Sequence, residues 1–271
     1  MLSHPRIGTL TALAAATLIA STAIAAPTLP GINIRWDNCF SDGGVMNKTF
    51  ACDTNTGAEQ AVMSVQLDTE MLDVVGFEVR VSLKTSDPTL PAWWAFKNLG
   101  SCRRTSLGFV NAAVPPGGSC LDWSLGTAAP GVGAYNVDAL GPGSAVIIMA
   151  TAIGSPLTVA LDPVTEYIVG ALHIDHAKTV GTGSCGGCTK PVCILFTSLV
   201  VSTPVAANNR LLTQGANTTS SQIIHWQNGQ LQNLVNSCTD TFHCTTQFDC
   251  VNAGPTDVHR NTWGEVKSLY R

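Results

Sequence analysis

Between residues 63 and 84 apolar and polar side chains alternate with a period of two. Phe77, Val79, Val81 and Leu83 alternate with Glu78, Arg80, Ser82 and Lys84, which in a strand puts one set on a core and the other in water. Met63, Val65 and Leu67 against Ser64, Gln66 and Asp68 repeat the pattern. Only a short acidic segment around Asp73 separates the two runs, so they are expected to be antiparallel neighbours. Farther along, residues 145–152, 167–174 and 193–201 are almost continuously apolar and β-branched, the texture of central strands covered on both faces. Turn clusters such as Pro115-Pro116-Gly117-Gly118 and Gly141-Pro142-Gly143 punctuate the chain. The pattern predicts an all-β protein, an antiparallel β-sandwich of immunoglobulin-like or jelly-roll-like type.

The two ends of the chain depart from this pattern. Residues 1–25 have a basic start at His4 and Arg6, an apolar run from Ile7 to Ala20 and a small-x-small site at Ala23-Ile24-Ala25, the make-up of a secretory signal peptide cleaved before Ala26. The run falls short of the ~20 apolar residues that a membrane span requires, and no later segment is long and apolar enough, so no span is expected after cleavage. A β-sandwich domain is expected over 26–204. After Pro204 the texture turns to Asn, Gln, Thr and Ser, and 205–271 is read as a cysteine-containing extension packing on the sandwich. It ends in a short helix, 262–270: Thr262 and Glu265 have capping-box spacing, Trp263, Val266, Leu269 and Tyr270 share one helical face, and Lys267 and Arg271 sit where the helix dipole favours positive charge.

Composition narrows the functional classes. Charged residues make up only 12% of the chain and the formal net charge is −4, one unit more negative once Arg6 leaves with the leader. Nucleic-acid binding needs clustered Lys and Arg, and Arg103-Arg104 is the only adjacent basic pair. No nucleic-acid partner is expected.

All ten cysteines lie beyond the leader: Cys39, Cys52, Cys102, Cys120, Cys185, Cys188, Cys193, Cys238, Cys244 and Cys250. An even number in an exported chain points to disulfides formed in an oxidising compartment. The two pairs isolated in sequence, Cys39 with Cys52 and Cys102 with Cys120, are the expected bridges, each closing a short loop; the other six are too clustered to assign. The C-x-x-C at Cys185 and Cys188 lacks the βαβ surroundings of a redox site.

Four stretches carry a resemblance: 35–39 (RWDNC), 47–57 (NKTFACDTNTG), 90–98 (LPAWWAFKN) and the final 262–271 (TWGEVKSLYR). They resemble a group of uncharacterised secreted bacterial β-rich proteins that share this terminal segment. The resemblance implies a bacterial, exported origin and a terminal segment that belongs to the protein; it brings no activity with it.

Candidate chemistry is sparse. Trp93, Trp94 and Phe96 follow Pro91 in a loop; if exposed, such rings stack on the apolar faces of sugars, and if buried they close one end of the core. Asp53-Thr54-Asn55-Thr56-Gly57 resembles the first half of a calcium loop without its later Glu, which makes Asp42, Asp53 and Asn55 candidate calcium ligands. No cofactor is expected beyond the calcium these residues would allow; zinc on the clustered thiolates with His243 or His173 lacks the usual ligand spacing. His173 and His176 flank Asp175, but two positions three apart on a strand point to opposite faces. There is no G-x-S-x-G elbow around Ser184 and no evident carboxylate pair. These residues predict a secreted or cell-envelope, non-catalytic protein with a binding role, toward a glycan or a cell-surface protein, or a structural surface role. The alternative is a secreted hydrolase or metal-dependent enzyme whose site assembles only in the fold.

Overall fold

The computed structural model describes residues 30–112, 117–213, 221–238 and 244–252. Its strands, in chain order, are β1 (Gly31–Trp36), β2 (Asn47–Lys48), β3 (Ala58–Gln66), β4 (Met71–Val74), β5 (Gly76–Thr85) and β6 (Leu107–Val110). They continue with β7 (Leu121–Asp122), β8 (Ala129–Val137), β9 (Ser144–Ala152), β10 (Val159–Leu161) and β11 (Glu166–Asp175). The last five are β12 (Val192–Ser202), β13 (Arg210–Thr213), β14 (Ile223–Trp226), β15 (Gly229–Cys238) and β16 (Cys244–Asn252).

Two main sheets stack face to face. One has the order β1-β3-β11-β6, with β7 beside β11; the other runs β2-β14-β12-β5-β9-β8, with β13 also paired to β12. Pairing is antiparallel except for the short β2–β14 and β7–β11 contacts. The expected all-β antiparallel sandwich is therefore the fold. Alternation explains the facing sides: Ile32, Ile34, Met63, Val65 and Leu172 from one sheet meet Phe77, Val79, Val81, Phe196 and Leu199 from the other in one core.

The continuous apolar runs fall in β9, β11 and β12, each with neighbours on both sides. β12 is buried along nearly its whole length because its outer face lies beneath the ribbon β15–β16. There Cys193, Leu195, Phe248 and Cys250 form a second apolar cluster, with Leu231 and Leu234 packed on it.

Two expectations are corrected. β3 and β5 are not neighbours but lie in opposite sheets: β3 pairs with β1 and β11, and β5 with β12 and β9. Identical alternation suits either arrangement, and the acidic segment between them forms its own ladder, β4 with β10. Beyond residue 204, β13 and β14 both pair with β12 and so add strands to its sheet. The second correction is that neither expected disulfide forms. The bridges among the described residues are Cys39–Cys120, Cys52–Cys188, Cys102–Cys185 and Cys193–Cys250, closing separations of 81, 136, 83 and 57 residues. Short sequence spacing favoured the local pairs, but pairing follows which segments the sheets bring together, and Cys39–Cys120 lies over the face of a sheet with Val62, Ile168 and Ala171. Cys238 and Cys244 are register partners across β15 and β16. The signal peptide and the terminal helix with Trp263, Val266, Leu269 and Tyr270 lie outside the described residues.

Candidate functional site

The strands fix two ends of the sandwich. At one lie Trp36, Asp175, Val192 and Trp226; at the other lie Gln66, Gly76, Ala152, Glu166 and Ser202. The first is closed and cross-linked, whereas the second is open and grooved.

At the closed end, Pro91 starts a single 3-10 turn, Ala92–Trp94, that drops both tryptophans inward. Trp93, Trp94 and Phe96 are fully buried. Trp93 stacks on Trp226 with ring centroids 5.3 Å apart, and Trp94 meets Trp226 edge-on at 5.5 Å. The buried Arg103 guanidinium lies 3.6 Å over the Trp93 ring and donates to the carbonyls of Trp93 (2.7 Å), Ala177 (3.0 Å) and Asp175. Desolvation pulls its pKa down to about 10, against the opposing effect of Asp175. A sugar platform needs an exposed ring face, so the glycan reading of these three residues is corrected: they are the cap of the core.

Cys52–Cys188 and Cys102–Cys185 bind the surrounding loops to one another. The C-x-x-C therefore supplies two separate bridges rather than one redox pair. Gly187 within it has φ +106°, and a Cβ there would stand 2.2 Å from the Pro91 Cβ; the glycine lets this loop pass the start of the tryptophan turn.

The same end holds a histidine–carboxylate pair that sequence spacing did not reveal, because its members are 117 positions apart. His176 Nε2 lies 3.1 Å from Glu59 Oε1, and Lys48 Nζ lies 2.8 Å from the other Glu59 oxygen and 2.7 Å from Asp37. His176 Nδ1 faces the Thr56 carbonyl at 2.8 Å, and Phe50 stacks on the ring at 3.9 Å. Both ring nitrogens are thus occupied by the protein, and the group acts as a loop clamp. His173 lies within β11 and His176 just past its end, so the two do not form a shared site.

The calcium candidates are turned to similar work. Asp42 accepts from the Ser119 N–H (2.7 Å) and hydroxyl (2.6 Å) and from the Cys120 N–H (3.1 Å). Asn55 Oδ1 accepts from the Thr179 and Val180 N–H groups at 2.7 and 2.9 Å. Asp53 is exposed. The structure gives Asp42 and Asn55 partners on different loops and does not assemble them with Asp53. Asp42 also lies beside Cys39 and Cys120, but those sulfurs are bonded to each other and supply no thiolate for a metal.

The open end differs. A cleft of about 420 Å³ runs between β4 and the turn after β12, lined by Glu70, Met71, Leu72, Asp73, Pro204 and Val205 among others. A second, of about 300 Å³, meets it at Pro204 and continues along Val75, Ile153, Pro156 and Leu157. Large apolar side chains stand in water here: Leu72 is 60% exposed, Val205 57% and Leu157 52%. Glu70 and Asp73 are exposed at the lip. The cation Arg210 is already paired with Asp68, leaving the lip acidic. The sequence signal for this site was faint: Leu72 breaks the acidic run between β3 and β5, and Pro204-Val205 follows the longest apolar strand.

No family model matches the chain, and no curated protein does. Among solved structures, one described as "AvmM Catalyzes Macrocyclization in Alchivemycin A Biosynthesis" aligns over 85% of this chain and 93% of that chain, at 10% identity and a TM-score of 0.31. A likeness that distant carries no argument about activity.

Proposed function

We propose that this chain is an exported, non-catalytic β-sandwich that works at or outside the cell envelope by presenting its open end to a neighbouring protein. The observation that carries the reading is the contrast between the ends. One is sealed by buried aromatics, ion pairs and disulfides, while the other exposes Leu72, Leu157 and Val205 around contiguous clefts. Exposed apolar side chains gathered on a soluble domain mark interaction sites. Aliphatic walls with two carboxylates suit a basic amphipathic segment, and among the described residues lining the clefts there is no aromatic ring of the kind that stacking on a sugar requires. The four long-range disulfides support an oxidising, extracytoplasmic setting.

The test is retention of the exported protein on purified cell envelopes of the strain producing it. Leu72→Glu plus Val205→Glu should abolish retention without changing the far-ultraviolet circular dichroism. Retention unchanged by this pair sinks the open-end reading. The hydrolase alternative predicts turnover on a panel of esters, peptides and glycosides. Turnover that disappeared in Glu59→Gln or His176→Gln with the fold intact would replace the non-catalytic reading.

A further inference from the structure

We propose that Cys238 and Cys244 are joined in a fifth disulfide, a redox-modifiable bridge across the ribbon β15–β16 that opens before the other four. Two independent observations carry it. The first is elimination: the four bridges join eight of the ten cysteines to one another, and Cys238 and Cys244 are the remaining two. The second is register. Val235 pairs with Gln247, Asn236 with Thr246, Ser237 with Thr245 and Cys238 with Cys244, with no shift among these four pairs. Residues directly opposite on antiparallel strands have Cα atoms about 4.5 or 5.5 Å apart. Both spacings fall inside the range of roughly 4.4 to 6.8 Å that a disulfide spans.

Place in the ribbon decides the order of opening. The ribbon is fixed to the sheet by Cys193–Cys250 and by the cluster of Leu195 and Phe248 with Leu231 and Leu234. Cys238 and Cys244 lie beyond these anchors. On the way to them Val235 is 59% exposed and Gln247 is exposed, and a two-stranded ribbon is marginal by itself. Local opening there admits an attacking thiolate while the sandwich stays folded. Each of the other four bridges contains at least one buried cysteine, Cys39, Cys188, Cys185 or Cys193, and is reached only by opening the core. Formation is an exchange. One thiolate attacks the disulfide of an oxidised dithiol carrier, and the second displaces the carrier's sulfur from the mixed disulfide; the carrier leaves as a dithiol with both electrons and both protons. A reducing dithiol runs the same steps backward.

The experiment is peptide mapping of the full mature chain, purified without reductant and alkylated with iodoacetamide under denaturing conditions. Cleavage before aspartate puts Cys238, Cys244 and Cys250 on separate peptides, because Asp240 and Asp249 stand between them. The expected result is the Cys238 peptide linked to the Cys244 peptide in a protein of monomer mass. Alkyl label on both peptides overturns the proposal, as does a link from either to another cysteine or to a second chain. Graded dithiothreitol, applied to the folded protein before alkylation, tests the order. Cys238 and Cys244 should take label at a concentration about tenfold below that needed for the other eight; label appearing first on any other pair overturns the redox assignment. Reduction at that lower concentration should cost β15 and β16 amides their hydrogen-exchange protection while β5 keeps its own. Cys238→Ser plus Cys244→Ser should reproduce this pattern without reductant, and protection unchanged in that variant overturns the bridge's hold on the ribbon.

Discussion

Arg103 shows how a charged residue becomes a core residue. Its guanidinium is fully buried, stacked on Trp93 and engaged with three carbonyls, so removing the charge alone orphans those acceptors. Arg103→Leu is expected to cost about 3–5 kcal/mol in urea unfolding, in the range for breaking a buried charged network. Lys in its place recovers only part, because an ammonium lacks the planar fork. Protonation acts at other residues. Burial, with Arg35 nearby, lowers the pKa of His225 below 6.5. The folded state thus favours the neutral ring, and its stabilising contribution is present above pH 6.5 and lost as pH falls below it. The Tyr167 hydroxyl holds Asp162 below the usual carboxylate value of 3.8, and the Arg210 guanidinium does the same for Asp68. Burial raises Asp42, but the hydrogen bonds from Ser119 and Cys120 outweigh it and leave it lowered. For these groups the lowered folded pKa means stability that is kept above pH 3.8 and lost below it. The melting temperature should therefore fall in two stages on acidification. His225→Gln should remove the first, and Asp162→Asn should shallow the second.

At the scale of elements, the disulfides tie the open-sequence loops to the sheets. Cys52–Cys188 closes 136 residues and Cys193–Cys250 closes 57. In the chain-entropy model these constrain the unfolded chain by about 5 and about 4 kcal/mol respectively. Cys52→Ser plus Cys188→Ser is expected to lower stability by up to that amount and to loosen the segment that His176 and Asn55 clamp. Cys193→Ala plus Cys250→Ala should act locally instead. Amides of β15 and β16 should lose hydrogen-exchange protection while those of β5 and β11 keep theirs, since the two-stranded ribbon without its bridge rests on one small apolar cluster. Equal loss of protection in β5 would show that the ribbon is integral to the core.

The molecule is uneven along its strands: three of the described disulfides and the Trp93–Trp94–Trp226 cluster gather at one end, while the other carries Cys39–Cys120 beside Glu166, the buried Trp123 against Phe77, and exposed Leu72, Leu157 and Val205. Four disulfides account for eight of the ten cysteines. Protein recovered from outside the cytoplasm and denatured without reductant should therefore present no more than two titratable thiols, Cys238 and Cys244, and a mature N-terminus at Ala26. Six or more thiols in native material would remove the oxidised architecture on which the exported reading depends.

Alternation along 63–68 and 77–84 was sufficient to establish strands, and the unbroken apolar runs were sufficient to mark central ones, because period-two burial is a local property of an extended chain. The even cysteine count likewise announced cross-links. Partners, however, are a property of topology. The same stripe of Met63, Val65 and Leu67 fits a neighbour in its own sheet or a facing sheet, and only the completed sandwich placed it opposite β5. It likewise brought Cys52 to Cys188 and His176 to Glu59, pairs separated by more than a hundred residues. Exposure was also decided in three dimensions. Trp93 and Trp94 are the same rings whether they face water or the core, and the inward turn after Pro91, sealed by Arg103, buried them; Leu72 and Val205 stayed in water because no described element crosses the end of the sheets where they stand.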